Sequence, residues 1–296
     1  MATSGNVNFP SDEYWSWKAA VGPYAGQDIS LQMAHWNIGT WGGSRFALPT
    51  LRGQDIEQPY RAGLQWRAKY PNSRTITMGF WTAGINQATG QPDTADQRLA
   101  FNNNLNQLRQ MFWQRGALGS VQGQLTRRWW LTQQGLKQIV TGTALAEIAG
   151  TMEPTMLGRT SASFSVDLLL ADPYFAGDPR EASIPDTGGT IYGAGEGVVG
   201  ENYPSVINSF TIALTEGPVT VSNTTAGVSF TYGLAIANSP VTIDVLNSTA
   251  TDAAGNNVIA NITHTGARMW MALVPGSNVI AVSAGTATFN FNDLYV

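Results

Sequence analysis

Cysteine is absent from the 296 residues, which excludes disulfides, thiolate metal sites and cysteine nucleophiles. Charge is scarce: Asp, Glu, Lys and Arg make up 12% of the chain, about half of the ~25% usual in soluble proteins. No run of Lys and Arg occurs and the net charge is −4, so the electrostatic footprint of a nucleic-acid binder is missing. No stretch approaches the ~20 apolar residues of a membrane-spanning helix, and membrane insertion is not expected. The segment MATSGNVNFPSDEYW has no basic start followed by an apolar stretch, so it does not read as a signal peptide. The expectation is a chain made and assembled in the cytoplasm.

What is present points to strands. Hydrophobic residues reach 43%, with 10 Trp, 9 Tyr and 11 Phe, a composition too apolar and aromatic for disorder. Polarity comes from Thr, Ser, Asn and Gln, and 32 Gly supply turns. That mixture suits short strands joined tightly. Uncharged surface is also cheap to desolvate, and interface cores are depleted in charge, so the composition favours burial in an assembly.

Residues 12–66 read as short strands broken at Gly22-Pro23, Gly26, Gly42-Gly43 and Pro49. Alternation places Ile76, Met78 and Phe80 on one face of a half-buried strand. A helix is expected over 93–115, capped by Asp93, with Asp96 in its first turn and a stripe of Phe101, Leu105, Leu108 and Phe112. Strands follow at Gln124–Leu131, which holds Trp129-Trp130, at Gln138–Ala149 and at Ser161–Leu170. A segment rich in Gly, Pro and Asp runs from Asp172 to Gly200, and a boundary is placed at 181–203. Domains are thus expected at 1–180 and 204–296. In the second, turn-separated strands are expected at Ser209–Leu214, Val219–Asn223, Gly227–Tyr232, Val241–Val245, Asn257–Ile262, Met269–Leu273, Asn278–Val282 and Thr286–Asn290, enough for two packed antiparallel sheets.

No chemistry-bearing motif emerges. His35 and His264 have no carboxylate or second histidine at a ligand spacing. There is no G-x-S-x-G elbow and no phosphate-binding loop opening a helix. The glycines of Tyr192–Gly197 read as a loop, and Asp252, Asn256 and Asn257 as a hairpin tip without EF-hand spacing. Paired carboxylates for glycoside cleavage leave no mark in sequence, which keeps a glycosidase as a minor reading. Nine of the ten tryptophans, Trp15, Trp17, Trp36, Trp41, Trp66, Trp81, Trp113, Trp129 and Trp130, precede residue 131, and only Trp270 falls in the second domain. Packing and subunit contacts explain most of them better than sugar stacking. No catalytic, cofactor-binding or metal-binding residue is assigned, no cofactor is expected, and the chain is not read as an enzyme.

Three segments together carry a resemblance: the stretch from Leu51 to Arg74, with Pro59-Tyr60-Arg61-Ala62-Gly63-Leu64-Gln65-Trp66 and Pro71-Asn72-Ser73-Arg74; Leu168–Phe175, with Ala171-Asp172-Pro173-Tyr174-Phe175; and Met269–Ile280, with Leu273-Val274-Pro275-Gly276-Ser277-Asn278-Val279-Ile280. In this order they resemble the distal tail proteins, also called minor tail proteins, of siphophages that infect actinobacteria. The resemblance implies a mainly β chain: an N-terminal split β-barrel with one α-helix, akin to tail-tube proteins, then a C-terminal galectin-like β-sandwich. It implies a structural virion protein whose first domain closes into a homohexameric ring at the tail tip, joining the tail tube to the tip or baseplate hub. Implied partners are further copies of itself, the tail tube protein, the tape measure protein and a hub or tail-associated protein. DNA would pass through the lumen without specific binding. The alternative is a carbohydrate-binding receptor-recognition module using the sandwich domain.

Overall fold

The computed structural model describes residues 13–39, 73–112, 122–133, 136–149, 154–193, 202–213, 218–234, 240–245, 247–265, 273–274 and 276–295, with isolated positions besides. Small two-residue ladders pair Leu51–Arg52 with Tyr70–Pro71, Ile56–Glu57 with Leu64–Gln65, and Arg115–Gly116 with Gly119–Ser120. Strands dominate, and the described residues hold a single α-helix beside a curled half-barrel sheet.

Two compact units emerge. The first comprises 1–129 and 143–175, the second 130–142 and 176–296. In the first unit the strands are β1 (Glu13–Lys18), β2 (Asp28–Ser30), β3 (Trp36–Ile38), β4 (Arg74–Ala83), then helix α1 (Gln97–Phe112), β5 (Gly123–Gln133), β6 (Leu136–Ile148), β7 (Pro154–Leu157) and β8 (Ser161–Leu170). The tip of β5 and β6, residues 130–142, groups with the second unit. β8 pairs antiparallel with β4 over its whole length, from Ser161 opposite Ala83 to Leu170 opposite Arg74. β3 pairs β4, β7 and β6 pair opposite ends of β8, and β1 lies between β2 and β5.

Period-two alternation explains which face is buried. Ile76, Met78 and Phe80 on β4, with Phe164, Val166, Leu168 and Leu170 on β8, turn inward together. The alternating residues between them, Thr75, Thr77, Ser165 and Asp167, face outward. α1 lies on the inward face, where Phe112 packs 5.3 Å from Phe80 and 5.8 Å from Trp17 between ring centroids.

The expected helix is present but shorter than 93–115. Asp96, not Asp93, is its N-cap: Asp96 Oδ1 accepts from the Leu99 N–H at 2.9 Å. Asp93 instead fixes the preceding turn, accepting from the Ala95 and Asp96 amides at 2.9 and 3.0 Å. The stripe holds at Phe101, Leu108 and Phe112, while Leu105 is only half-buried. Asn104 is buried in its place, because its side chain donates to the Ala83 and Ile85 carbonyls at 2.8 and 2.9 Å and so ties strand to helix.

The second unit continues with β9 (Phe175–Pro185), β10 (Gly189–Gly193), β11 (Asn202–Ala213), β12 (Val219–Asn223), β13 (Val228–Tyr232), β14 (Pro240–Asp244), β15 (Thr249–Thr251), β16 (Ile262–Thr265), β17 (Gly276–Val282) and β18 (Thr286–Tyr295). They form two layers, ordered β9-β18-β11-β14-β15 and β10-β17-β12-β13-β16. One core unites the layers: Val241, Ile243, Phe289 and Phe291 from the first pack with Val221, Phe230, Ile280 and Val282 from the second. That is a β-sandwich.

The Gly-, Pro- and Asp-rich segment Asp172–Gly200 carries strands as well as turns: β9 and β10 run through it, because Phe175, Ile184 and Ile191 are apolar at positions that turn into cores. The Gly/Pro signal marks the turn between them, where Gly188 adopts φ +81° and donates to the Pro185 carbonyl at 2.9 Å. The expected strand at 257–262 is largely a 3-10 turn, Ile259–Asn261. Asn257 Oδ1 accepts the Ile259 N–H at 3.0 Å and starts that turn, as Asn side chains do when they compete with strand ladders. The expected strand at 269–273 falls mostly outside the described residues.

Candidate functional site

Titratable side chains do not converge on a reactive centre among the described residues, and no group of three His, Cys, Asp or Glu is placed there to hold a metal. His35 sits in the first unit's core, its ring 4.1 Å from that of Trp36, and burial pushes its pKa from 6.5 down to about 4. It is neutral at physiological pH. His264 lies exposed on β16 in the other unit, its ring 6.1 Å from that of Phe230.

The Asp252 tip is a self-satisfied turn. Asp252 Oδ1 accepts from the amides of Ala254 and Asn256, both at 2.9 Å, and Oδ2 accepts from Asn256 Nδ2 at 3.0 Å. These donors, the Asn256 side chain foremost, hold the carboxyl below its usual pKa. Asn257 turns away to the 3-10 segment. Of the run Tyr192–Gly197, Tyr192 and Gly193 end β10, and 194–197 lie outside the described residues.

The tryptophans divide. Trp15, Trp17 and Trp36 are wholly buried and Trp129 nearly so, whereas Trp130, its neighbour on β5, is exposed. Strand alternation alone explains the split. Trp81 is half-buried on the outward face of β4, and Trp41, Trp66, Trp113 and Trp270 lie outside the described residues. In the sandwich, the exposed aromatic among the described residues is Tyr192.

What the first unit does assemble is a buried cationic and aromatic cluster that sequence reasoning missed. Arg127 on β5 is 4% exposed and donates from Nε to Glu13 Oε1 at 2.6 Å. Its guanidinium lies 4.5 Å from the Trp129 ring centroid and 5.6 Å from that of Trp15. Arg74 is equally buried, 5.9 Å from the Phe175 ring, which in turn meets Trp15 edge-on at 5.8 Å. Burial, aided by the nearby Arg127 charge, lowers the Arg74 guanidinium to about 10, so it remains cationic at neutral pH. Arginine suits such a place, since its planar cation stacks on rings and is weakly hydrated. The cluster locks β1, β4 and β5 together.

The other unusual surface is the outward side of α1. Arg98, Leu99, Asn102, Asn103, Asn106, Arg109 and Gln110 are exposed there, and the helix contains no carboxylate and no lysine.

No sequence-family model matches the chain, and no curated protein matches it in sequence. In three dimensions it is similar to the SPP1 Dit protein, described as a paradigm of the hub adsorption apparatus in phages that infect Gram-positive bacteria. The match covers 96% of this chain and 99% of that one, at 7% identity and a TM-score of 0.56. The fold is the SPP1 Dit fold. Two structures of the phage P2 baseplate in its activated conformation, with Ca and with Sr, overlap 94% of this chain and 97% of theirs at 8% identity. Their TM-scores of 0.38 and 0.36 are too low to define a common fold.

At 7% identity to SPP1 Dit, the shared feature is backbone layout, and two of the segments singled out in the sequence do structural work within it. In Ala171–Phe175, Asp172 Oδ1 accepts the Tyr174 N–H at 3.3 Å and delivers Phe175 to the Trp15 ring. Burial raises the Asp172 pKa against that hydrogen bond. In Leu273–Ile280, Gly276 supplies φ +86° and Asn278 brackets the turn from inside. Of the segment 51–74, the two-residue ladders at 51–52, 56–57, 64–65 and 70–71 and residues 73–74 are described, and the rest lies outside the described residues.

Proposed function

We propose that this chain is a structural distal tail protein of a bacteriophage, which works by pairing surfaces and not by catalysis. The observation that carries the reading is the end-to-end likeness to the SPP1 Dit protein, helix-bearing unit and sandwich together. The three sequence segments that resemble distal tail proteins of siphophages infecting actinobacteria support the same reading and its choice of host.

On this reading residues 1–180 form the ring and 204–296 a galectin-like sandwich. Six copies close by heterologous contacts, since a head-to-tail interface makes a ring wherever its rotation closes. The ring joins the tail tube to the tip hub, with the tape measure protein and hub proteins as further partners, in a virion assembled in the host cytoplasm. DNA crosses the lumen without being gripped, and a chain of net charge −4 suits that passage because it offers phosphate no net counterion-release attraction.

Imaging of the purified chain by electron microscopy, with its mass measured by light scattering, tests the proposal. Rings of six times the 31.7 kDa chain mass are expected. A species that stays monomeric at every concentration, and is absent from the tip of labelled tails, would overturn it.

A further inference from the structure

We propose that the outward face of α1 is the contact surface for a second copy of this chain, through a head-to-tail interface. The inference rests on the ring reading and names the surface that builds it.

Three observations converge on this face. An exposed helix side usually carries both charge signs in i, i+4 pairs. Here Gln97–Phe112 has no Asp, Glu or Lys and exposes Arg98, Arg109 and the amides of Asn102, Asn103, Asn106 and Gln110. Retained arginine with depleted lysine and carboxylate is the composition of an interface core. Leu99 is 56% exposed in the first turn, beside Arg98. Arg98 itself stands where the helix dipole disfavours a cation. A residue that works against its own helix, with no ion pair among the described residues to offset it, marks a place where a partner supplies the gain.

Charge complementarity identifies the occupant. The helix carries +2 while the whole chain carries −4, so the remainder carries −6 (−4 less +2). Asp167, Asp178 and Glu181 are among its exposed carboxylates. A second copy therefore offers an excess of carboxylates to the basic helix. Two helix faces cannot pack on each other, because like charges would meet. The contact is thus heterologous, with the helix of one copy on a different, acidic surface of the next, and such contacts propagate into rings and not two-fold dimers.

The test compares the full-length chain with the R98E/R109E variant by light scattering and negative-stain imaging across salt concentrations, with melting curves as a fold control. The wild-type ring is expected to weaken as salt screens the contact. The double reversal is expected to raise the concentration needed for assembly at least about tenfold while melting like the wild type. R98Q/R109Q is expected to fall between, and decides the matter if the reversed variant melts early. L99N is expected to weaken assembly without changing its salt dependence. Assembly of R98E/R109E or R98Q/R109Q at the wild-type concentration overturns this inference and leaves the ring reading standing. A wild-type chain that never forms rings overturns the ring reading and this inference with it.

Discussion

Asn223 and Asn278 meet in the interior of the sandwich, the Asn223 side-chain amide donating to Asn278 Oδ1 at 2.9 Å, with both residues wholly buried. Each then binds a turn. Asn223 Oδ1 accepts from the Thr225 and Ala226 amides, both at 3.1 Å. Asn278 Oδ1 accepts from the Val274 amide at 2.9 Å, and Nδ2 donates to the Val274 and Gly276 carbonyls at 2.8 and 3.0 Å. The hairpin end of β12–β13 and the entry to β17 are thereby tied through one pair of side chains.

Replacing Asn278 by Ala removes the acceptor of the buried Asn223 amide and the side-chain partner of three part-buried backbone groups. Each buried unsatisfied group costs on the order of 1–3 kcal/mol, so Asn278→Ala is expected to destabilise the protein by about 3 kcal/mol or more. Ser277→Ala, on the exposed side of the same strand, is expected to stay within about 0.5 kcal/mol. Urea unfolding of both variants checks this. Equal midpoints would remove the pair from its tying role.

Gly123 is required by a close approach. A Cβ there would lie 2.3 Å from Trp17 Cζ2, and Trp17 cannot retreat, being wholly buried and donating from Nε1 to the Met111 carbonyl at 3.2 Å. Gly123→Ala is expected to cost roughly 1–3 kcal/mol through overpacking and to perturb near-ultraviolet circular dichroism. An unchanged melting temperature and spectrum would refute the constraint.

Much of this architecture is legible in the sequence wherever period-two alternation is strict. Ile76, Met78 and Phe80 on β4, the span of β8 and the strand Val219–Asn223 stand where that rule puts them. The rule fails where a polar side chain takes a core position. Asn104 and Arg127 are polar residues at core positions because of groups that lie up to 114 residues away in the chain, as Glu13 does from Arg127. In the Gly- and Pro-rich stretch the turn residues stand out in the sequence while the strands they punctuate, β9 and β10, do not. The outward face of α1 was in plain view as a missing charge sign, which an apolar-stripe reading passes over.

His35 makes stability depend on acid. Its pKa falls from 6.5 in an exposed setting to about 4 in the fold, so the unfolded chain takes up the proton first as pH drops. The stabilisation from keeping it neutral is complete above about pH 6.5 and is lost progressively towards pH 4, amounting to about 3 kcal/mol at most. His35→Phe keeps a ring against Trp36 and is expected to flatten the stability profile between those values. Parallel wild-type and variant profiles would show that His35 does not titrate in this way.

The Asp96 cap is a local device and its removal should be a local loss. Asp96→Ala frees the Leu99 N–H it now accepts, for an expected cost of about 1 kcal/mol. Asp96→Asn keeps an acceptor and is expected to recover most of it. Denaturation midpoints that place the Asn variant with the Ala variant would assign the effect to charge and not to capping.

Glu13 faces the opposite balance, because its partner is sealed in. Arg127 is 4% exposed and stacked on Trp15 and Trp129, so Glu13→Ala leaves a guanidinium charge buried with less compensation, at an expected cost of roughly 3–5 kcal/mol. Burial also shields the pair from dissolved ions, so the penalty should persist from about 0.1 to 1 M salt, where an exposed pair would fade. Arg127→Lys keeps the charge but loses the planar stacking and the Nε donor, and tryptophan fluorescence is expected to shift with it. A Glu13→Ala penalty that vanishes in high salt would mean that solvent reaches the pair and that the aromatic lock around Arg127 is not closed.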